Sequence, residues 1–186
     1  QINSALFVPD YTYVSTNFGI VLIDLVKFEI KETILLGENS IESPVFETTL
    51  KDDTLYAATA NGLFFIDIDN PFISSVNFWT KFENLPDNHS NGPFTNVVEY
   101  KGFIFANYRN EDSGNNDVVY RLDNDGWSSI LNNQTVRNLI STSSGIIICT
   151  NTPVFIRDEN GGTIRNIWQF NDQFFKANDA IFDEDG

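Results

Sequence analysis

The sequence predicts an all-β fold built from repeated four-stranded antiparallel units. Three observations carry that reading. A pattern of apolar landmarks recurs at intervals near 43 residues. The apolar runs between turns are short, rich in Val, Ile, Tyr and Phe, and bounded by Gly, Asn and Asp, as strands joined by tight turns require. No long stretch keeps a 3.6-residue apolar period with caps at its ends, so helices are not expected.

The first landmark is the inner strand of each unit. Tyr11-Thr12-Tyr13-Val14 aligns with Thr54-Leu55-Tyr56-Ala57, with Phe103-Ile104-Phe105-Ala106 and with Ile146-Ile147-Ile148-Cys149. Taking Tyr13, Tyr56, Phe105 and Ile148 as anchors, the spacings are 43, 49 and 43. The second landmark follows each anchor. Gly19-Ile20-Val21-Leu22-Ile23-Asp24 matches Gly62-Leu63-Phe64-Phe65-Ile66-Asp67, then Val118 to Asp123, then Val154 to Asp158. A polar insertion from Arg109 to Asp117 separates the two landmarks of the third unit. Before each anchor lies turn chemistry: Lys51-Asp52-Asp53, Lys101-Gly102 and Ser143-Ser144-Gly145, with Asp183-Glu184-Asp185-Gly186 in the same role later. A last strand carries Trp79, Trp127 or Trp168, and Thr33-Ile34-Leu35-Leu36 takes its place in the first unit.

Four-stranded repeats of about 40–45 residues are the blades of a β-propeller. One blade cannot bury its own faces, so neighbours must stack. Blades are expected at about 2–40, 44–88, 94–133 and 136–172, with 177–186 opening a further one, all within a single propeller segment. Propellers close with roughly four to eight blades. The segment is therefore expected to be an incomplete arc of a larger, seven-bladed ring. The chain contains no Met and starts in structured sequence, which is expected of a processed chain or a piece of a longer one.

Composition narrows the function classes. Eleven Lys and Arg against 26 Asp and Glu give a net charge of −15. Phosphate neutralisation needs clustered cations, so a nucleic-acid surface is not expected, nor is binding to anionic lipid. One Cys leaves no internal disulfide framework, and one His leaves no multi-histidine metal centre. No apolar run approaches the ~20 residues of a membrane helix.

The pattern T-x-x-G-[IL]-x-x-[IL]-D, present as Thr16 to Asp24 and Thr59 to Asp67, resembles the two-component-regulator propeller repeat found in sensor regions of Bacteroidetes hybrid proteins. The longer context, Tyr13 to Gly37, Leu55 to Asn70, Asn77 to Pro86 and Val97 to Asn110, resembles the N-terminal propeller of PorZ-type proteins of the type IX secretion system. That resemblance implies a larger surface protein with two propellers and a C-terminal secretion domain. It implies an outer-membrane complex with the sortase PorU, the barrel PorV and PorQ, and contact with lipopolysaccharide. No functional residue of the family maps onto this sequence.

No catalytic, cofactor-binding or metal-ligating residue is assigned, and no cofactor is expected. His89 lies in the polar loop Pro86 to Pro93 and reads as solvated rather than as a base, since a triad needs a third group to orient it. Cys149 takes a small-residue core position, so an inert buried thiol is expected. Asp123-Asn124-Asp125-Gly126 fails the spacing of a calcium loop, whose first ligand would fall on Arg121 and its twelfth on Asn132; it reads as a turn. The three Trp residues read as recurrent packing positions. Asp53-Thr54-Leu55 matches the short tripeptide of Bacteroidetes O-glycosylation, a pattern frequent by chance.

The expected function is a non-enzymatic propeller scaffold of a PorZ-like component at the cell surface or outer membrane. It would bind proteins such as PorU, PorV and PorQ, with lipopolysaccharide or glycan as a further partner. The alternative is the periplasmic, ligand-sensing propeller of a hybrid two-component regulator. A propeller enzyme would need paired carboxylates within ~5–10 Å, which the sequence cannot place.

Overall fold

A computed structural model describes residues 1–37, 41–110, 116–170, 172–174 and 177–178. The turn at 183–186 and most of 177–186 lie outside the described residues, as do 38–40 at the end of the first unit and 111–115 of the polar insertion. The chain forms two compact units, Gln1–Val97 and Val98–Gly186. Among the described residues helical structure is limited to two 3-10 turns, Val76–Phe78 and Pro86–Asn91.

Four antiparallel sheets of four strands follow in chain order. The first holds β1 (Ile2–Phe7), β2 (Tyr11–Thr16), β3 (Gly19–Asp24) and β4 (Glu29–Ile34). The second holds β5 (Val45–Lys51), β6 (Thr54–Thr59), β7 (Gly62–Asp67) and the two-residue β8 (Thr80–Lys81). The third holds β9 (Phe94–Tyr100), β10 (Phe103–Tyr108), β11 (Asp117–Asp123) and β12 (Gly126–Gln134). The fourth holds β13 (Val136–Thr142), β14 (Gly145–Thr150), β15 (Val154–Arg157) and β16 (Thr163–Ile167). A short hairpin, β17 (Gln169–Phe170) with β18 (Gln173–Phe174), follows and was not foreseen. Within each sheet the strand order is the chain order.

A recurring Asp in all four sheets, and a recurring Thr in the first, second and fourth, explain why these units fold alike. Thr16 Oγ1 donates to Gly19 O at 2.9 Å and accepts from Phe18 N at 3.3 Å. Thr59 does the same with Gly62 O at 2.8 Å and Asn61 N at 3.1 Å. Thr150 Oγ1 donates to Pro153 O. These hydroxyls satisfy the backbone of the β2–β3 type hairpin and so set its register. Glycine is required at the far corner. At Gly62, with φ +133°, a Cβ would stand 2.7 Å from Ser90 O. The Asp that ends the third strand caps the next turn. Asp24 Oδ1 accepts from Val26 N and Lys27 N at 3.0 and 2.9 Å, and Asp67 Oδ1 from Asp69 N at 2.8 Å. Asp123 Oδ1 accepts from Asp125 N at 2.9 Å, and Asp158 Oδ1 from Asn160 N at 2.9 Å and Gly162 N at 2.7 Å. These are Asx turns, and the Asp123 loop is one of them.

Register corrects one alignment. Counting back from the hairpin threonines, Tyr13, Tyr56 and Ile147 are equivalent, each three residues before its Thr. The pairs Tyr13↔Leu22, Tyr56↔Phe65 and Ile147↔Ile156 agree. The fourth anchor is thus Ile147, not Ile148. A one-residue slip in a strand exchanges its faces, and the run of three isoleucines at 146–148 hid it. Cys149 consequently aligns with Ser15 and Ala58, all three fully buried.

With that register one packing rule holds in both units. In the first, Tyr13, Ile20, Leu22 and Ile34 of the first sheet pack against Leu55, Ala57 and Ile66 of the second. In the second, Phe105 and Val119 of the third sheet pack against Leu139, Ile146, Ile148 and Phe155 of the fourth. The anchor face of one blade covers the opposite face of the next. Hydrogen bonds reinforce the stacking: Asn3 Nδ2 donates to Val45 O at 2.8 Å, and Arg109 Nη2 to Val136 O at 3.1 Å. Asp117 Oδ2 accepts from Val136 N at 2.9 Å.

The tryptophans do not share a role. Trp79 is buried beside the short β8, and its Nε1 donates to Ile73 O at 2.8 Å. Trp127 is half-buried in β12. Trp168 follows β16 and is 53% exposed. Their near-equal spacings do not survive the different lengths of the fourth strands. In the first sheet the fourth strand also starts earlier than expected, at Glu29, because the Asp24 cap closes the turn within four residues.

Leu55, fully buried in β6, tests the packing rule. Leu55→Ala is expected to destabilise the protein by about 2–5 kcal/mol, whereas Phe28→Ala, at a site 89% exposed, should change stability by less than about 0.5 kcal/mol. Urea titration of both variants measures the difference.

Candidate functional site

The first unit carries a cleft of about 730 Å³. Its apolar walls are Leu36, Ile41, Phe64 and Val76, and its polar groups include Glu42, Lys81 and Asn91. The connection from β4 to β5 supplies one side. The other comes from β7 and from the two 3-10 turns flanking β8. Lys81 is the cation of the cleft. Its Nζ donates to Asn91 Oδ1 at 2.6 Å and lies 5.8 Å from the Phe64 ring centroid. Such a cleft can hold a small polar molecule against an apolar wall, with one ammonium to orient it.

Residues singled out from the sequence do not converge there. His89 lies in the 3-10 turn Pro86–Asn91, half-buried. Burial lowers its pKa, and the Asp87 carboxylate opposes that shift. The neighbouring Ser90 hydroxyl donates to Glu83 O at 2.6 Å and accepts from Leu85 N at 3.3 Å. Its proton is committed to the loop backbone. Cys149 is a free, buried thiol packed with Ile147 and Val154. Thr54 is half-buried at the start of β6, in the Lys51–Thr54 pair of the hairpin. Among the described residues no group of three or more His, Cys, Asp or Glu is placed to hold a metal ion.

Sequence reasoning missed two features. The rings of Phe72 and Phe78 stack at 4.6 Å and 18°, with 54% and 47% of each residue exposed. They lie in the loop before β8, which is longer than the corresponding turn of the first blade. That extra length was the available signal. The second feature is Glu47 on β5. Its Oε2 accepts from Asn96 Nδ2 at 3.2 Å and Val97 N at 3.0 Å. Burial raises its pKa from 4.5 to about 7, although both hydrogen bonds act to lower it. Nothing in the strand's alternation marks Glu47, because its burial comes from outside its own sheet.

Four-stranded antiparallel sheets in chain order, stacked face on face by one rule within each compact unit, define this protein as a set of β-propeller blades. Residues 1–80 match the family described as TSS9, PorZ, N-terminal beta-propeller domain, which bears out the resemblance seen in the repeats. Among solved structures the chain is similar to PorZ of Porphyromonas gingivalis, described as an essential bacterial surface component of the type IX secretion system. There the identity is 19% and the TM-score 0.64, covering 88% of this chain and 20% of that one. It is likewise similar to the extracellular domain of a hybrid two-component system protein from B. thetaiotaomicron, at 17% identity and TM-score 0.65, covering 90% and 22%. The WD40 domain of Neurospora crassa Pan2 follows, at 13% and 0.60, covering 90% and 52%. These likenesses show the fold. The chain spans about a fifth of the length of the first two. No curated protein matches the chain. Among the described residues no helix is long and apolar enough to cross a membrane.

Glu47 gives a pH test. Between pH 4.5 and about 7 the folded state keeps a proton that the unfolded chain releases. This group therefore favours folding most at low pH, and stability falls as pH rises through that window. The loss is at most about 3 kcal/mol, reduced by the solvent that reaches part of the residue. Glu47→Gln should remove that slope, seen as a difference in melting temperature between variant and parent that changes from pH 4.5 to 7.

Proposed function

We propose that the segment is a non-enzymatic propeller scaffold of a PorZ-like component of a type IX secretion system. The match of residues 1–80 to the PorZ propeller family carries this reading. The four sheets serve as consecutive blades of one propeller segment, the chain from 177 opens a further blade, and the whole is part of a larger, seven-bladed ring. Its work is to present loops and blade edges to protein partners at the cell surface or outer membrane, with PorU, PorV and PorQ as the expected subunits. Repeats locked by Thr and Asp give a rigid frame, and its exposed aromatic pair at Phe72 and Phe78 suits protein contact. The charge of −15 repels an anionic polysaccharide, so lipopolysaccharide contact falls to other parts of the full protein.

A second reading is supported by the likeness to the extracellular domain of a hybrid two-component system. In that case the cleft around Lys81 would receive a small ligand in the periplasm. Affinity capture of the full-length protein from outer membranes separates the two. Recovery of secretion-complex subunits is the expected outcome. Their absence, together with a downstream kinase in the same polypeptide, would favour the sensor.

A further inference from the structure

The cleft of the first unit lies along one cross-strand row of the second sheet. Ala57 of β6 pairs with Phe64 of β7, and Phe64 with Lys81 of β8. Residues directly opposite one another share a face. Along this row Ala57 is fully buried, while Phe64 and Lys81 are half-buried. The packing between the first two sheets therefore opens towards β8. Buried Leu36 lies at the base of the opening, and Gly37 N beside it donates to Ile41 O at 3.0 Å.

The repeat does not ask for a cation at this place. The same position of the row holds Thr33 in the first sheet, Ser129 in the third and Asn166 in the fourth. Lys81 is nevertheless held in one geometry. Its stem crosses Gly62, where a Cβ would stand 2.6 Å from Lys81 Cε. Its Nζ donates to Asn91 Oδ1 at 2.6 Å. Among the described residues no carboxylate forms an ion pair with it, in a chain of net charge −15. An ammonium has three N–H donors, and Asn91 takes one of them. The same bond turns Oδ1 of Asn91 to the ammonium, which leaves Nδ2 as a further donor on the rim.

Charge sets what such a site accepts. Glu42 stands on the exposed rim of the cleft. A dianion would be repelled by Glu42 and by the whole chain. A monoanion meets less of that repulsion and gains a charge-assisted hydrogen bond from Lys81. Leu36, Phe64 and Val76 form the apolar wall beside it.

We propose that this cleft binds a small free monocarboxylate with an apolar body. The carboxylate is received by Lys81 Nζ and Asn91 Nδ2, and the apolar part lies against Leu36, Phe64 and Val76. The inference rests on the ligand-receiving reading of the same cleft and adds the ligand class and the group that selects it.

Calorimetric titration of the natural polypeptide that carries this segment tests it, with hydrocinnamate (a phenyl ring two methylenes from a carboxylate) and its neutral amide as probes. At neutral pH the acid should bind about tenfold or more tighter than the amide. Lys81→Gln should erase that difference and leave the affinity for the amide unchanged. If acid and amide bind equally, or if Lys81→Gln leaves the acid's affinity intact, the inference is overturned while a ligand-receiving cleft stands. If inorganic phosphate competes as well as hydrocinnamate, the apolar wall plays no part and the inference is likewise overturned. If neither probe binds, the ligand class named here falls, and the sensor reading is then judged by its kinase alone. Should Lys81→Gln fail to fold, Asn91→Asp on the exposed rim repeats the measurement. Its carboxylate pairs with the ammonium and should weaken the acid by a similar factor, and undiminished binding there overturns the inference.

Discussion

The whole architecture depends on the register of the middle hairpin in each blade. A four-stranded sheet has two faces, and both must find apolar cover. Which residues form which face is settled by a single alignment of two strands. In the first, second and fourth blades a threonine hydroxyl bridges the hairpin and fixes that alignment through one donated hydrogen bond, with a second accepted from the turn backbone at Thr16 and Thr59. The glycine opposite Thr16 and Thr59 permits a backbone that a side chain would block. Slide the pairing by one residue and Tyr13 would face the wrong neighbour.

From that lock the rest follows in order. A fixed register gives an anchor row, and the anchor row gives a stacking direction. The aspartate at the end of the third strand then folds the chain back without drawing on tertiary contacts. Its two or three atoms of hydrogen-bonding reach are why the motif tolerates varied turn sequences after it. Four of the 26 acidic residues, Asp24, Asp67, Asp123 and Asp158, cap such turns, so part of the negative charge serves the frame.

Function in this setting belongs to what the repeats leave uncommitted. The cleft around Lys81 and the stacked Phe72 and Phe78 arise where the blades differ or where cover is incomplete. His89, Ser90, Cys149 and Asp123 turn out to serve the frame or to lie in its loops. Burial encloses the Cys149 thiol, and backbone hydrogen bonds take up the Ser90 hydroxyl and the Asp123 carboxylate.

The sequence by itself determined the all-β class, the repeat, four strands per unit and the turns at 51–53, 101–102 and 143–145. These are local properties: alternation, turn residues and spacing act within about ten residues. It also carried the family resemblance, because the Thr, Gly and Asp of the hairpins are locally required. The anchor of the fourth blade was not legible, since three consecutive isoleucines satisfy either register. Nor were the separate fates of the three tryptophans, which depend on fourth strands of unequal length. The raised pKa of Glu47 and the cleft were decided only by tertiary structure. Each is set by what a neighbouring sheet or loop brings close, and no pattern within a strand records its neighbour across the stack.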